Sequence, residues 1–279
     1  MRTLYASDLD RTLLRSDSSL GPESVRLLNH VIREGVLFTY ATARSHLSSR
    51  RATQQLELQL PVITYGGTIT ADADTGRARD LHRLGDDAVT GVLNECRSRP
   101  DAQPILHTYE DGRDWVRWRP EHMTAGTRAF LGSRPQDPRL RPITTEDPLD
   151  RRSVFYISIL AERDVLGPMR ESLGPALAGV ATFLSVDPST PGLDWLELHS
   201  EDGTKARALQ RLMTQTGADR LVVFGDNEND LPMFAIADES YAVANAIPSV
   251  RAAATGVIDD NDSDAVARWI AHDAKISMR

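Results

Sequence analysis

Apolar residues gather in short blocks that end on polar ones. Leu4-Tyr5-Ala6 runs into Ser7-Asp8-Leu9-Asp10, Val36 to Tyr40 runs into Ala41-Thr42, Val62 to Tyr65 runs into Gly66-Gly67, and Leu221 to Phe224 runs into Gly225-Asp226. Blocks this short, rich in β-branched and aromatic residues and bounded by turn formers, predict buried strands. Between the first two, Gly21-Pro22-Glu23 opens a helix that keeps Val25, Leu28, Val31 and Ile32 on one stripe, and Gly35 closes it. His46 to Leu56 predicts the next helix. Strand alternating with helix is the pattern of a parallel sheet covered by helices, an α/β core in which ligands sit beyond the carboxyl ends of the strands. Asp8, Thr42 and Asp226 all fall at such ends, which predicts one shared site.

From about Arg83 to His199 the texture changes. Helical Asp86 to Arg97 is followed by strand-like Ile105 to Tyr109, a turn at Gly112 into Trp115-Val116-Arg117-Trp118, strand-like Val154 to Leu160 and a helix over Val165 to Leu173. Hairpins mixed with helices predict a separate α+β domain rather than more parallel sheet. The division expected is a core over 1–83, an inserted cap over 84–199 and the rest of the core over 200–279. Proline-rich Arg134 to Pro148 and Asp187 to Gly192 are expected as cap loops. Core strands resume at Leu221 to Phe224 and Tyr241 to Val243, and helices are expected at Asp230 to Ala237, Ser249 to Ala254 and Asp264 to Ala271. The acidic run Asp259 to Asp264 is expected as a solvated loop.

Two acids one residue apart, Asp8 and Asp10, cannot both be buried cheaply as anions without a cation or a shared proton. One can attack phosphorus while the other moves a proton to and from the leaving oxygen and water. The same spacing also suits a capped turn in which Asp10 accepts backbone N–H groups. The second acidic cluster, Gly225-Asp226-Asn227-Glu228-Asn229-Asp230, can supply oxygen ligands to a hard divalent cation such as Mg2+, with Asp226 the preferred ligand and Asn229 and Asp230 orienting ligands and waters. It equally suits the capped start of a helix. Thr42 and the N–H groups after it can receive phosphate oxygens. Lys205 sits at a helix start, where the dipole prefers an acid, and an anionic substrate beside the aspartates would account for it as well as plain surface exposure would.

Taken together, Asp8-x-Asp10-x-Thr12, Thr42, Lys205 and Gly225-Asp226-x-x-Asn229-Asp230 resemble, in order, the four motifs of the haloacid dehalogenase superfamily. The chain is most similar to its Cof-type phosphatases, which carry a large cap of the C2 (IIB) type between the second and third motifs. Tyr65-Gly66-Gly67 stands where that family usually has Asn-Gly-Ala, Trp195 to Leu198 precedes the lysine as its last cap strand does, and Ala244-Asn245-Ala246 matches its late Asn-Ala. The resemblance implies a Rossmann-like three-layer core with an inserted α+β cap. It implies Asp8 as the nucleophile with its other oxygen on Mg2+, and Asp10 as the general acid/base with its backbone carbonyl on the metal. Thr42 and Lys205 would hold phosphoryl oxygens, Asp226 would be a direct metal ligand and Asp230 an outer or alternate one. Arg44, Gly66, Gly67 and Asn229 would line the substrate. Within that superfamily, the resemblance at Asp10 implies phosphoester hydrolysis or phosphoryl transfer between hydroxyls. The chain departs from the family pattern at Arg11, where glycine is usual, at Tyr65 for asparagine, and at Ala43 and Ala206 for glycines.

The chain has 279 residues, 41% hydrophobic and 26% charged, with 40 acidic against 32 basic side chains and a net charge of −8. That balance disfavours nonspecific nucleic-acid partners, and Arg44, Arg50 and Arg51 read as a helix face with one substrate-facing end. Cys96 is the single cysteine, which excludes an intrachain disulfide and suits a reducing compartment. No apolar stretch approaches the roughly 20 residues of a membrane helix and no leader pattern precedes Leu4, so a cytoplasmic protein without a membrane partner is expected. The seven histidines, His107, His122 and His199 among them, lack paired metal-ligand spacing and are expected on the surface or in the cap. The chemistry expected is Mg2+-dependent hydrolysis of a small phosphorylated metabolite through a phosphoaspartyl enzyme. A phosphomutase on the same centre and a non-catalytic phosphometabolite-binding module are the alternatives. The pattern specifies no oligomeric state.

Overall fold

The computed structural model describes residues 2–174, 177–186 and 190–275. Along the chain come β1 (Thr3–Ser7), α1 (Pro22–Arg33), β2 (Leu37–Tyr40), α2 (His46–Thr53), β3 (Val62–Thr64), β4 (Ile69–Ala71) and β5 (Ala78–Leu81). There follow α3 (Asp86–Ser98), β6 (Pro104–Glu110), β7 (Arg113–Arg117), α4 (Ala125–Gly132), β8 (Val154–Ala161), α5 (Arg163–Leu173), β9 (Val180–Val186) and β10 (Asp194–Ser200). The chain returns through α6 (Lys205–Thr216), β11 (Arg220–Gly225), α7 (Leu231–Phe234), β12 (Glu239–Val243), α8 (Pro248–Ala253), β13 (Gly256–Ile258) and α9 (Ala265–Asp273). It forms two compact units, residues 1–80 with 204–279 and residues 81–203.

The first unit is a Rossmann-like α/β core. Its sheet runs in the order β13-β12-β11-β1-β2, parallel throughout. From β1 the chain steps outward to β2 on one side, then later enters at β11 and steps outward to β12 and β13 on the other. The strand order therefore reverses between β1 and β11, where polar residues leaving adjacent carboxyl ends meet in one crevice. Leu4, Val222 and Val223 are fully buried, as strands covered on both faces require. Helix α1 starts with Pro22, buries Leu27, Leu28, Val31 and Ile32, and ends before Gly35, whose φ of 88° is left-handed.

The second unit is α+β. Its antiparallel sheet, β7-β6-β8-β10-β9, packs Ile157, Ile159, Leu196 and Leu198 against Val89, Val92 and Cys96 of α3 and Leu166, Met169 and Leu173 of α5. On the other face Ile105 and Val116 meet Phe130 of α4. His107 and His199 are buried in this sheet, with the His199 ring stacked between Tyr156 and Phe183. Burial pushes the His199 imidazole down to about 4. Trp115 lies between the guanidinium groups of Arg113 and Arg141, 4.0 and 5.0 Å from its ring centre, and Arg117 is wholly buried against Asp147.

Three expectations are revised. Helix α2 stops at Thr53, not Leu56. In place of a helix over Asp230 to Ala237 there is one tight turn, Glu228–Asp230, and the short α7, which ends at Phe234 where the Ala237 N–H turns to the Phe234 carbonyl; the Asp230 side chain meanwhile caps the N–H groups of Asp226 and Asn227. The acidic run is solvated only in part: Asp259, Asp260 and Asp262 are exposed, but its end is not. Asp264 is buried, paired with Arg15 at 2.7 Å and accepting from the Ser24 hydroxyl at 2.7 Å, and Asp262 accepts from the Ser16 N–H at 2.9 Å. Of the expected Asp187 to Gly192 loop, residues 187–189 lie outside the described residues. Among the described residues no helix is long and apolar enough to cross a membrane.

Gly126 on α4 lies so close to β8 that an added Cβ would stand 1.8 Å from the Leu160 carbonyl oxygen. Gly126→Ala is expected to lower stability by about 1–3 kcal/mol through forced separation of helix and sheet. A denaturant midpoint equal to wild type would contradict this packing.

Candidate active site

Strand β1 ends at Ser7, and Asp8 stays in register by donating its N–H to the Phe224 carbonyl at 2.9 Å. The chain then coils through a tight turn over Leu9–Leu13 in which Leu14 N–H reaches the Leu9 carbonyl at 2.8 Å. This turn separates the paired acids: Asp8 is buried, whereas the Asp10 side chain is about half exposed. The turn needs a left-handed residue at position 11, and Arg11 adopts φ 58° there, at a cost of about 1 kcal/mol relative to glycine. The Asn245 side chain donates to the Arg11 carbonyl at 2.8 Å and accepts from Asn261 N–H at 3.0 Å, while Asn261 donates to the Leu14 carbonyl at 3.0 Å. These two asparagines brace the middle and the far end of the turn.

At the end of β11, Asp226 accepts from the Thr12 hydroxyl at 3.1 Å. Asp230 binds the N–H groups of Asp226 and Asn227 through one oxygen, at 2.9 and 3.1 Å, and Lys205 through the other, at 2.7 Å. Gly225 permits this return, since a Cβ there would lie 2.6 Å from the Asp230 side chain. Lys205, the first residue of α6, is buried and extends its ammonium to Asp8 at 2.6 Å. Its entry depends on the turn after β3: Gly67 has φ 112°, and a Cβ there would fall 2.0 Å from the Thr204 carbonyl carbon.

Three carboxylates, Asp8, Asp226 and Asp230, thus lie with ligand oxygens within 4.8 Å of one another and share one buried ammonium. Burial pushes the Asp8 carboxyl well above the usual range, with Asp230 and Asp226 adding to the rise and Lys205 opposing it. Burial and then Asp230 push Asp226 up to about 6, against the Thr12 hydrogen bond, Lys205 and Arg11. Lys205 is drawn down by burial but more than restored by Asp230 and Asp8, so it is an ammonium at neutral pH. Fully ionised, the group lacks two positive charges, the charge of one divalent cation. Both Asp230 oxygens are occupied by donors, while among the described residues one oxygen of Asp8 and one of Asp226 accept no hydrogen bond. The donor set therefore fits a hard cation gripped by Asp8 and Asp226, with Asp230 organising the loop and the lysine.

Thr42 is buried beyond β2, with its N–H on the Ile63 carbonyl at 2.9 Å and its hydroxyl accepting from Arg44 N–H at 3.1 Å. Gly66 donates back to the Thr42 carbonyl at 2.9 Å from a left-handed backbone, φ 67°. Arg44 does not project free toward a substrate; its guanidinium grips both oxygens of Asp10, at 2.5 and 2.8 Å. Asn229 is half-buried in the turn between Asp226 and Asp230. The core thus gathers Asp8, Asp226, Asp230 and Lys205 directly, and joins Asp10 to Arg44 and Thr42 to Gly66. The bracing by Asn245 and Asn261 and the Arg44–Asp10 pair were missed by sequence reasoning, apart from the Asn-Ala signature around Asn245.

The profile of the haloacid dehalogenase-like hydrolases matches residues 5–270, and the chain belongs to that family. Among its relatives are the HMP-PP phosphatase of Cronobacter sakazakii, 28% identical over 98% of this chain and 96% of that protein. Another is the 5-amino-6-(5-phospho-D-ribitylamino)uracil phosphatase YitU of Bacillus subtilis, 25% identical over 96% of each. The fold is shared with a phosphatase of the haloalkanoate enzyme superfamily from Bacteroides thetaiotaomicron, with TM-score 0.78 and 19% identity over 99% of this chain and 96% of that one.

The folded state holds the Asp226 proton to higher pH than the unfolded chain does, so metal-free protein loses stability as pH rises from about 4 through about 6. Asp226→Asn removes that loss. In EDTA above pH 6 the variant is expected to be more stable than wild type by about 1–3 kcal/mol, and Mg2+ is expected to raise the melting temperature of wild type only. Equal stabilisation of both proteins by Mg2+ would contradict the assignment. Lys205→Met, which strands Asp8 and Asp230, is expected to cost about 3–5 kcal/mol at pH 8 and less at pH 5, where carboxyls take up protons; a pH-independent cost in thermal melts would speak against the charge balance.

Proposed function

We propose that this chain is a Mg2+-dependent phosphoric monoester hydrolase that acts on a small phosphorylated metabolite through an aspartyl-phosphate formed on Asp8. The observation that carries the reading is the Asp8 carboxylate, buried, held by Lys205 at 2.6 Å, and with its other oxygen unpaired beside Asp226. The phosphatase relatives support the reaction class.

In this reading the Lys205-bound oxygen of Asp8 attacks phosphorus. An Asp8–phosphorus bond forms as the bond to the leaving oxygen breaks, and Asp10 gives that oxygen a proton. Asp10 then takes a proton from water, whose oxygen attacks phosphorus, releases inorganic phosphate and restores both carboxyls. Lys205 and the Thr42 region face the phosphoryl oxygens, where charge collects in the transition state. Held by Asp8, Asp226 and the Asp10 backbone carbonyl, Mg2+ would supply positive charge to that phosphoryl group. Arg44 acts as a positioning residue that aims the Asp10 carboxyl through hydrogen bonds to both of its oxygens.

Phosphate release from p-nitrophenyl phosphate and a panel of sugar phosphates tests this. Wild type is expected to turn over with Mg2+ and stop with EDTA. Asp8→Asn is expected to lose at least about 10³-fold in kcat and Asp10→Asn about 10²–10⁴-fold. Wild type and both variants equally inert with every substrate and metal would reject hydrolysis.

A further inference from the structure

We infer that Arg11 is a specificity-determining residue that binds a second anionic group of the substrate, a carboxylate or a further phosphoryl group, outside the reacting phosphoryl centre. The inference rests on the phosphatase reading for where the reacting group sits; the rest is carried by three features of Arg11.

The first is its pairing. Near the site the other cations are committed, Lys205 to Asp8 and Asp230 and Arg44 to both oxygens of Asp10. Arg11 is exposed, and among the described residues its guanidinium has no carboxylate partner. The second is its location. It lies in the tight turn that leaves β1, adjoins Asp10 in the chain, follows the nucleophile candidate Asp8 by three residues and precedes Thr12, whose hydroxyl donates to Asp226 at 3.1 Å. The third is its backbone. Position 11 demands a left-handed conformation, φ 58°, which glycine would adopt without strain. The chain carries arginine there instead, on a carbonyl fixed by Asn245 at 2.8 Å. Less freedom is lost per hydrogen bond when a planar, pre-organised fork meets an anion than for a flexible ammonium. Carboxylate and phosphoryl oxygens are the groups that a planar five-donor cation recognises.

The metal-loaded full chain is titrated by calorimetry, at one fixed free Mg2+ concentration, with three non-hydrolysable ligands: propylphosphonate, 3-phosphonopropionate and propane-1,3-bisphosphonate. Wild type is expected to bind at least one of the two double anions about tenfold or more tightly than propylphosphonate. The one preferred identifies the second group as carboxylate or phosphoryl. Arg11→Gly is expected to bring that ratio close to one, Arg11→Lys to keep part of it, and the melting temperature of Arg11→Gly to stay equal or rise. A wild-type ratio near one, a ratio kept in Arg11→Gly, a loss shared equally by all three ligands, or a melting temperature several degrees lower in Arg11→Gly would overturn the inference. Hydrolysis of p-nitrophenyl phosphate by wild type is measured alongside. Its absence with the binding ratio intact counts against the phosphatase reading, and its presence with a ratio near one counts against Arg11.

Discussion

Three buried carboxylates around one buried ammonium set the terms for the rest of the core. Asp8, Asp226 and Asp230 leave two different strands and the turn beyond one of them, and Lys205 reaches them from the first position of α6. Charges this close in a dry site repel strongly unless balanced. The backbone is correspondingly tight around them. Gly225 lets Asp230 return onto the strand end and Gly67 lets the turn after β3 lie against Thr204, and at either place a methyl group has no room. The same charge deficit that makes the site costly without a cation makes it a strong site with one.

Sheet order supplies the location and loop chemistry supplies the shape. Because the order reverses between β1 and β11, their carboxyl ends face a common crevice without either chain segment having to detour. The turn after β1 is held from elsewhere in the chain by Asn245 and Asn261, so its left-handed residue is maintained by contacts more than 200 positions away in sequence. Arg15, Ser16 and Ser24 tie the following segment to Asp262 and Asp264 in the same way. Rigidity of this kind is what a nucleophile and a proton donor need if they are to be aimed at one phosphorus atom.

Much of this was legible in the sequence for a physical reason. Buried parallel strands read as apolar blocks, and a polar residue at the end of each block marks an edge of the sheet, so Asp8 and Asp226 could be placed together before any coordinates. The second unit was legible as α+β because a hairpin turning at Gly112 is mixed with helices, which breaks the strand–helix alternation of the core. What escaped was set by partners distant in sequence. The Arg44–Asp10 pair was hidden because nothing local reveals that Asp10 sits within reach of the Arg44 fork. Asp264 looked solvated because an acidic run has no periodicity, while its burial depends on Arg15 and Ser24. The helix expected after Asp230 ends early, at Phe234, and the Asp230 side chain serves the loop before it. Tyr65 holds φ 50°, a conformation glycine or asparagine takes more readily, and neither composition nor periodicity announces it.

The central claim, that Asp8 receives the phosphoryl group beside a divalent cation shared with Asp226, is tested most directly by a crystal structure grown with Mg2+ and beryllium fluoride, which mimics a phosphoryl group on an aspartate. The account predicts beryllium bonded to an Asp8 oxygen, one Mg2+ touching Asp8 and Asp226, and Lys205 still joined to Asp8 and Asp230. An adduct on any other side chain, or a cation bound through Asp230 with Lys205 displaced, would contradict it.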